Sequence, residues 1–262
     1  MSNGALQVAR TGLDAQNMKM RVIANNLANV NTTGFKRQRA DFETLAYQQN
    51  ITPGAQSDAQ NRYAIGLSLG TGVAVQGTAR IDTQGTLQTT GNTLDLAIEG
   101  AGYFQVQLAD GSTGYTRAGN FSRTAKGTVV TADGLPLIPQ IQVPENSTSI
   151  SIGNDGTVSA TLAGDGAVSQ LGQIELANFA NAAGLTPLGN NLLAESGASG
   201  PPLVGAAGSE GRGNLRSGSL EQSNVNIVEE LVDMIETQRA YEVNSKMISA
   251  TDEMLQFVNQ QL

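Results

Sequence analysis

The two ends of this chain limit its fold more than anything between them. From Leu6 the apolar or small residues fall at Leu6, Ala9, Leu13, Met20, Ile23, Leu27 and Val30, with Gln16 at the one polar step. Steps of three and four trace the seam of an amphipathic helix. At the far end two rows interleave: Ala240, Val243, Met247, Ala250, Met254 and Phe257 on one, and Met234, Tyr241, Ile248, Leu255 and Leu262, seven apart, on the other. Val225, Val228, Val232 and Ile235 sit in a phase that slips before Ala240. Two adjacent rows make an apolar face too wide for a single neighbour. Charge supports pairing of the ends. Residues 1–40 carry Arg10, Lys19, Arg21, Lys36, Arg37 and Arg39 against Asp14, whereas residues 221–262 carry eight acids against Arg239 and Lys246. Two readings stay open: an ordinary intramolecular helical hairpin, or a helical pair that also packs on copies of the same molecule.

The first helix is predicted to start at Ser2 or Asn3 and to run to about Asn29, roughly 40 Å at 1.5 Å per residue. The asparagines at 25, 26, 29 and 31 are poor helix formers that bond local backbone, and Gly34 can take the positive φ of a C-terminal cap. The last helix opens at Asn226, three residues before Glu229, in a capping-box-like arrangement. Glu229 and Glu230 then lie favourably in its first turn, and it extends roughly 50 Å.

Between the ends the pattern changes. Residues 37–45 read as a short helix, and Tyr47–Gly72 as a polar span with a Pro53-Gly54 turn, structureless or draped over a neighbour. From Val73 to Leu220 short alternations (73–76, 94–98, 103–108, 128–131, 149–152, 158–162 and 173–176) are punctuated by Gly91-Asn92, Asp110-Gly111, Asp133-Gly134 and Asp155-Gly156. These pairs supply the positive φ that tight hairpins need. Residues 197–213 read as an irregular return path. The expectation is α+β: long terminal helices as a coiled-coil-like pair, with an inserted all-β domain of many short strands. The segments fall at 1–45, 46–72, 73–221 and 222–262. With 39% apolar residues, 4% aromatics and 31 glycines, the middle should be loop-rich and thinly cored.

Several chemistries are excluded. A net charge of −8 argues against nucleic acid. The absence of cysteine removes disulfides, thiolate chemistry and sulfur-ligated metals. Gly66-Leu67-Ser68-Leu69-Gly70 spells the nucleophile elbow of serine hydrolases, but the chain has no histidine to act as base. Asp95 and Glu99 on one strand would lie ~13 Å apart, beyond glycosidase spacing. Neither a cofactor, a metal nor a small-molecule substrate is expected, and the chain is read as no enzyme. The N-terminus lacks the apolar core of a cleaved signal peptide, and no run reaches the ~20 apolar residues of a membrane span.

ANNLANVNTTGFK, residues 24–36, resembles the N-terminal signature of bacterial flagellar axial proteins of the rod and hook family. SNVNIVEELVDMIETQRAYEVNSKMISATDEMLQ, residues 223–256, is similar to their C-terminal signature, and TLDLAIEGAGYFQV with YTRAGNFS resembles their β-domain motif. The 47–72 span, with its PGAQ turn and GLSLGTGV exit, resembles in part the insertion that sets distal-rod members apart from hook members. The resemblance implies a distal-rod subunit of the basal body that polymerises into a hollow, straight helical shaft crossing the periplasm and transmitting torque. It implies as partners further copies of itself, proximal rod proteins, hook protein, the P- and L-ring bushing and the flagellar export apparatus, which would deliver the chain unfolded. Another rod protein or a hook protein is the rival within the family; a secreted carbohydrate-binding module or hydrolase is the rival outside it.

Candidate assembly residues follow. On the first segment they are Leu6, Leu13, Met20, Ile23, Asn25, Asn26, Leu27, Asn29, Asn31, Gly34 and Phe35. On the last they are Val228, Leu231, Ile235, Gln238, Arg239, Tyr241, Val243, Asn244, Met247, Ile248, Met254 and Leu255. Tyr47, Pro53, Gly54, Gln56 and Tyr63 mark the rod-specific segment.

Overall fold

The structure, a computed structural model, describes residues 2–56, 62–163 and 168–261, with the side chains at 2, 3, 255 and 258–261 outside the description. The chain divides into two compact units. One holds residues 1–27, 38–79 and 226–262; the other holds 28–37 and 80–225. Residues 73–79 therefore fall with the helices rather than with the β unit, and residues 28–37 with the β unit rather than with the helices.

The helical unit is built on α1 (Ser2–Ala28) and α2 (Ile227–Gln261). Asn226 caps α2 as its sequence predicts: its Oδ1 accepts from Val228 N at 3.1 Å, and its carbonyl accepts from Glu230 N at 3.0 Å. Residues 37–45 are not helical. Gln38–Thr44 is a strand paired with the strand Val73–Arg80, so long-range pairing overrides local helix propensity there.

The described part of the 47–72 span, which leaves out residues 57–61, is likewise not structureless. Tyr47–Ile51 and Leu67–Gly70 pair antiparallel, with Tyr47 opposite Gly70 and Gln48 opposite Leu69, and form a hairpin arm. Its base is closed by Leu45 N donating to Gly72 O at 3.0 Å and by Thr71 Oγ1 donating to Ala46 O at 2.6 Å. Gly72, at φ +118°, lies against Thr11 of α1, where any Cβ would collide with the Thr11 hydroxyl.

In the β unit a seven-stranded sheet runs in the order Thr186–Gly189, Leu192–Ala194, Thr113–Thr116, Tyr103–Gln107, Glu175–Asn178, Leu203–Ala206, and Leu137–Ile138 also pairs with Tyr103–Gln107. A three-stranded meander, Ser147–Ile152, Thr157–Leu162 and Val168–Gln173, and several two-stranded pairs complete it. Tyr103–Gln107 is covered on both faces. Phe104 and Val106 enter the main core with Leu96, Ile98, Leu137 and Leu176, while Tyr103 joins Tyr115 and Phe179 in a smaller aromatic cluster. Edge-to-face contacts set that cluster, with centroids 4.8 Å apart for Tyr115 and Phe179. The glycines of all four predicted turns take positive φ.

Candidate assembly interface

Helix α2 turns a mixed face, polar and apolar, towards α1. Glu230 and Thr237 are buried, and Asp233, Met234, Ala240, Asn244, Ile248 and Thr251 are half-buried. Glu230, Thr237, Asn244 and Thr251 lie seven apart on one side of the helix, forming a polar row where a coiled coil ordinarily places apolar residues. This row meets α1. Asn26 Nδ2 donates to Glu230 Oε2 at 3.2 Å, and a Cβ added to Gly12 would stand 3.1 Å from the Asn244 amide nitrogen. The two helices are thus antiparallel, and small residues of α1 admit the polar side chains of α2.

The opposite side of α2 carries an uncovered apolar row among Arg239, Glu242, Lys246 and Glu253. Val228 is 70% exposed, Val232 50%, Ile235 51%, Val243 58%, Met247 55%, Met254 64% and Phe257 61%, with Leu231 also exposed, whereas Tyr241 lies on the α1 side beside Met20. Among the predicted assembly residues of this helix, Gln238 and Arg239 are exposed as well, Asn244 and Ile248 are half-buried, and the Leu255 side chain lies outside the described residues. On α1 the pattern differs: Ile23 and Asn26 are buried, Leu6, Leu13, Met20 and Leu27 are half-buried, and Asn25 is exposed. Tyr47, Pro53, Gly54, Gln56 and Tyr63 are all exposed on the arm.

The asparagine run works inside the chain. Asn26, 1% exposed, bonds both backbone groups of Gln38, donating to its carbonyl at 2.8 Å and accepting from its N–H at 2.9 Å. Asn29 Oδ1 accepts from Thr32 Oγ1 at 3.1 Å, and Asn29 and Phe35 are half-buried while Asn31 is exposed. Gly34, at φ +70°, lies so close to Arg117 that a Cβ would come within 2.6 Å of its carbonyl carbon.

A buried polar cluster that the sequence does not announce holds the chain ends within the β unit. Lys36 Nζ pairs with Glu221 Oε1 at 2.6 Å and donates to Thr83 O at 2.8 Å; Gly85 N donates to the same Glu221 oxygen at 2.9 Å. Arg117 Nε stands 3.2 Å from Glu221 Oε2, an ion-pair contact rather than an aligned hydrogen bond, while its Nη atoms donate to Gly100 and Gly102 carbonyls at 2.7 Å. Glu221 is 1% exposed. Burial pushes the Lys36 ammonium below its usual range, with Glu221 opposing and Arg117 adding to the shift. Beside the cluster, Asn224 Oδ1 accepts from Arg37 N at 2.7 Å and its Nδ2 donates to the carbonyls of Ile81 and Thr83 at 2.9 Å. Segments 34–37, 81–85 and 221–224 are thereby locked together. Tyr103 completes this neighbourhood. It donates to Asp82 Oδ1 at 3.2 Å and accepts from Arg80 Nη2 at 3.1 Å, and burial raises its phenol to about 12.

Terminal helices that pair through a mixed face and leave a long apolar row uncovered, on either side of a β unit in the sequence, define a class of building block. Three family profiles match in the same order along the chain. These are "Flagella basal body rod protein" over residues 6–36, "Flagellar hook protein FlgE/F/G D1 domain" over 97–160 and "Flagellar basal body rod FlgEFG protein C-terminal" over 216–261. The chain belongs to the flagellar rod and hook protein family. It is 50% identical over 256 residues to the flagellar basal-body rod protein FlgG of Buchnera aphidicola subsp. Acyrthosiphon pisum, covering 98% of each chain. FlgG of Agrobacterium fabrum is 47% identical, across 98% of this chain and 99% of that one. A rod protein of the FlgF type, from Caulobacter vibrioides, is 34% identical across 89% and 87%. The chain is a structural subunit of the flagellar basal-body rod.

Proposed function

We propose that this subunit forms the distal part of the rod, polymerising into a hollow, straight helical shaft that crosses the periplasm and carries torque from motor to hook. One observation carries the polymerisation step: α2 leaves a row of apolar side chains from Val228 to Phe257 uncovered, while Glu230, Thr237 and Asn244 face α1 among Met234 and Ile248. Each fully buried aliphatic side chain of this size contributes about 1.5–3 kcal/mol. A row from Val228 to Phe257 that stays in water is therefore a strong drive towards association. The likeness to FlgG proteins over nearly the whole chain supports the distal position. The role is structural; the chain has no histidine, and its exposed Ser68 sits in a hairpin strand rather than at a strand-to-helix elbow.

In this reading the candidate residues of both helices form the assembly interface. Segment 46–72, the arm, braces neighbouring subunits, and proximal rod proteins, hook protein and the P- and L-ring bushing adjoin the polymer. The export apparatus delivers the chain, and no described helix is long and apolar enough to cross a membrane. The test is Val228→Asp with Ile235→Asp, two exposed positions whose change leaves the fold intact. Electron micrographs and sedimentation of purified protein should show concentration-dependent polymers for the natural chain and monomers for the variant. Equal polymerisation of the two would refute the reading.

A further inference from the structure

Resting on the self-association just proposed, we infer that the apolar stripe at the start of α2 docks in a groove at the other end of the helical unit of a second copy. The groove has a volume of about 620 Å³ and is lined by Ala5, Val8 and Gly12 of α1, Leu69 and Val73 beside the arm, and Met247 of α2. Small residues line the α1 side and larger apolar ones the rest, so the groove can admit the side chains of another helix. The stripe, Val228, Leu231, Val232 and Ile235, is convex, apolar and placed opposite the polar row that faces α1.

Charge favours this mating over others. Glu236 lies exposed on the flank of the stripe, while Lys246, also exposed, adjoins groove residue Met247. The exposed outer side of α1, by contrast, carries Arg10, Asp14, Asn17, Arg21 and Asn25 and offers the stripe no apolar partner. A second groove of about 410 Å³, formed by Gln16, Asn17, Met20, Gln238, Tyr241 and Glu242, has Glu242 on its edge, a like charge for an acidic-flanked stripe.

Stripe and groove lie in one molecule but are displaced along the helix axis by roughly 20 Å at 1.5 Å per residue. A copy cannot satisfy its own groove. Occupation repeated head-to-tail, each stripe in the groove of the next copy, builds a filament rather than a pair.

The chain has no cysteine, so a pair can be introduced without background. Val8→Cys with Val232→Cys places one thiol in the groove and one on the stripe. Within a chain the two are roughly 24 Å apart along the axis, by the antiparallel pairing of the helices, too far for a bridge. Oxidation of the assembled full chain should give a ladder of covalent oligomers on a denaturing gel, and each single variant should give none. Asn17→Cys with Val232→Cys probes the second groove and should give no ladder. Glu236→Arg should weaken assembly at least tenfold in critical concentration, and adding Lys246→Glu should restore it. Polymers that form yet fail to cross-link through Val8, or that ladder through Asn17, overturn this docking and leave the proposed function standing. A natural chain that stays monomeric at every concentration removes both.

Discussion

Replacing Glu221 by Gln isolates the electrostatics of the buried cluster. The side chain keeps its shape, but the carboxylate that both Lys36 and Arg117 contact loses its charge. The oxygen that accepts from Gly85 N at 2.9 Å can be kept by the amide, whereas the new NH2 group must then face a cation. Removing one partner of a buried ion pair costs about 3–5 kcal/mol, because the other charge stays desolvated. Arg117 keeps two carbonyl acceptors and Lys36 keeps one, at Thr83, so the lower half of that range applies, about 3 kcal/mol. At 1.36 kcal/mol per tenfold, that is more than about a hundredfold. Hydrogen exchange at the Phe104 amide in the main core of the β unit measures it on the full chain, at concentrations below polymer formation. Adding Lys36→Met removes the stranded ammonium and should return most of the protection. A Glu221→Gln chain with exchange within about fivefold of the natural one, or a double variant no better than the single, would refute the claim that charge holds this junction.

Three further outcomes follow from the same contacts. Tyr103, raised to about 12 by burial, keeps its proton in the fold after an unfolded tyrosine has lost it near 10. Its share of stability is thus fully present below about pH 10 and is lost between about 10 and 12. Lys36, lowered in the fold, works in the opposite sense below 10.5. Alkaline denaturation should therefore carry a late phenolate phase between about pH 10 and 12, and Tyr103→Phe should remove that phase. Asn226→Ala deletes the α2 cap and should cost about 1 kcal/mol, read as lost helical ellipticity in a urea titration of the full chain. Deleting residues 47–70, a cut that joins Ala46 to Thr71 at the closed base of the arm, should leave the monomer folded and give polymers that bend more in micrographs. Unchanged straightness would count against the bracing role.

What could be read from the sequence divides along a physical line. Helix limits, the Asn226 cap and the Asp-Gly turns depend on neighbours a few residues away, and the structure has them where local chemistry places them. Glu221 lies 185 residues from Lys36, and no local pattern can announce a pair that only the closed β unit brings together. Residues 38–44 combine helix-forming Gln, Arg, Ala and Glu with no period-two signal, and only the partner strand 73–80 fixes them as extended. The arm did carry a signal, the alternation Ile65, Leu67, Leu69, but the strand opposite, Tyr47–Ile51, is mostly polar and no two-residue turn joins them. For that reason the segment read as structureless.

The seam of α2 shows why apolar periodicity leaves two readings open. Periodicity reports which face of a helix avoids water, and it is silent on whether the neighbour that covers that face belongs to the same chain. Glu230, Thr237, Asn244 and Thr251 settle the intramolecular half of the question. Their seven-residue spacing matches an antiparallel partner, and α1 answers with Asn26 and with a glycine at 12 where a larger residue would crowd Asn244. A hairpin meant to be self-sufficient would turn the other face inwards, since burying valine and isoleucine is favourable whereas burying a carboxylate needs a partner for every oxygen. The polar row therefore lets the helices pair while consuming only the apolar row of Met234 and Ile248, and the row from Val228 to Phe257 remains for copies of the chain to cover.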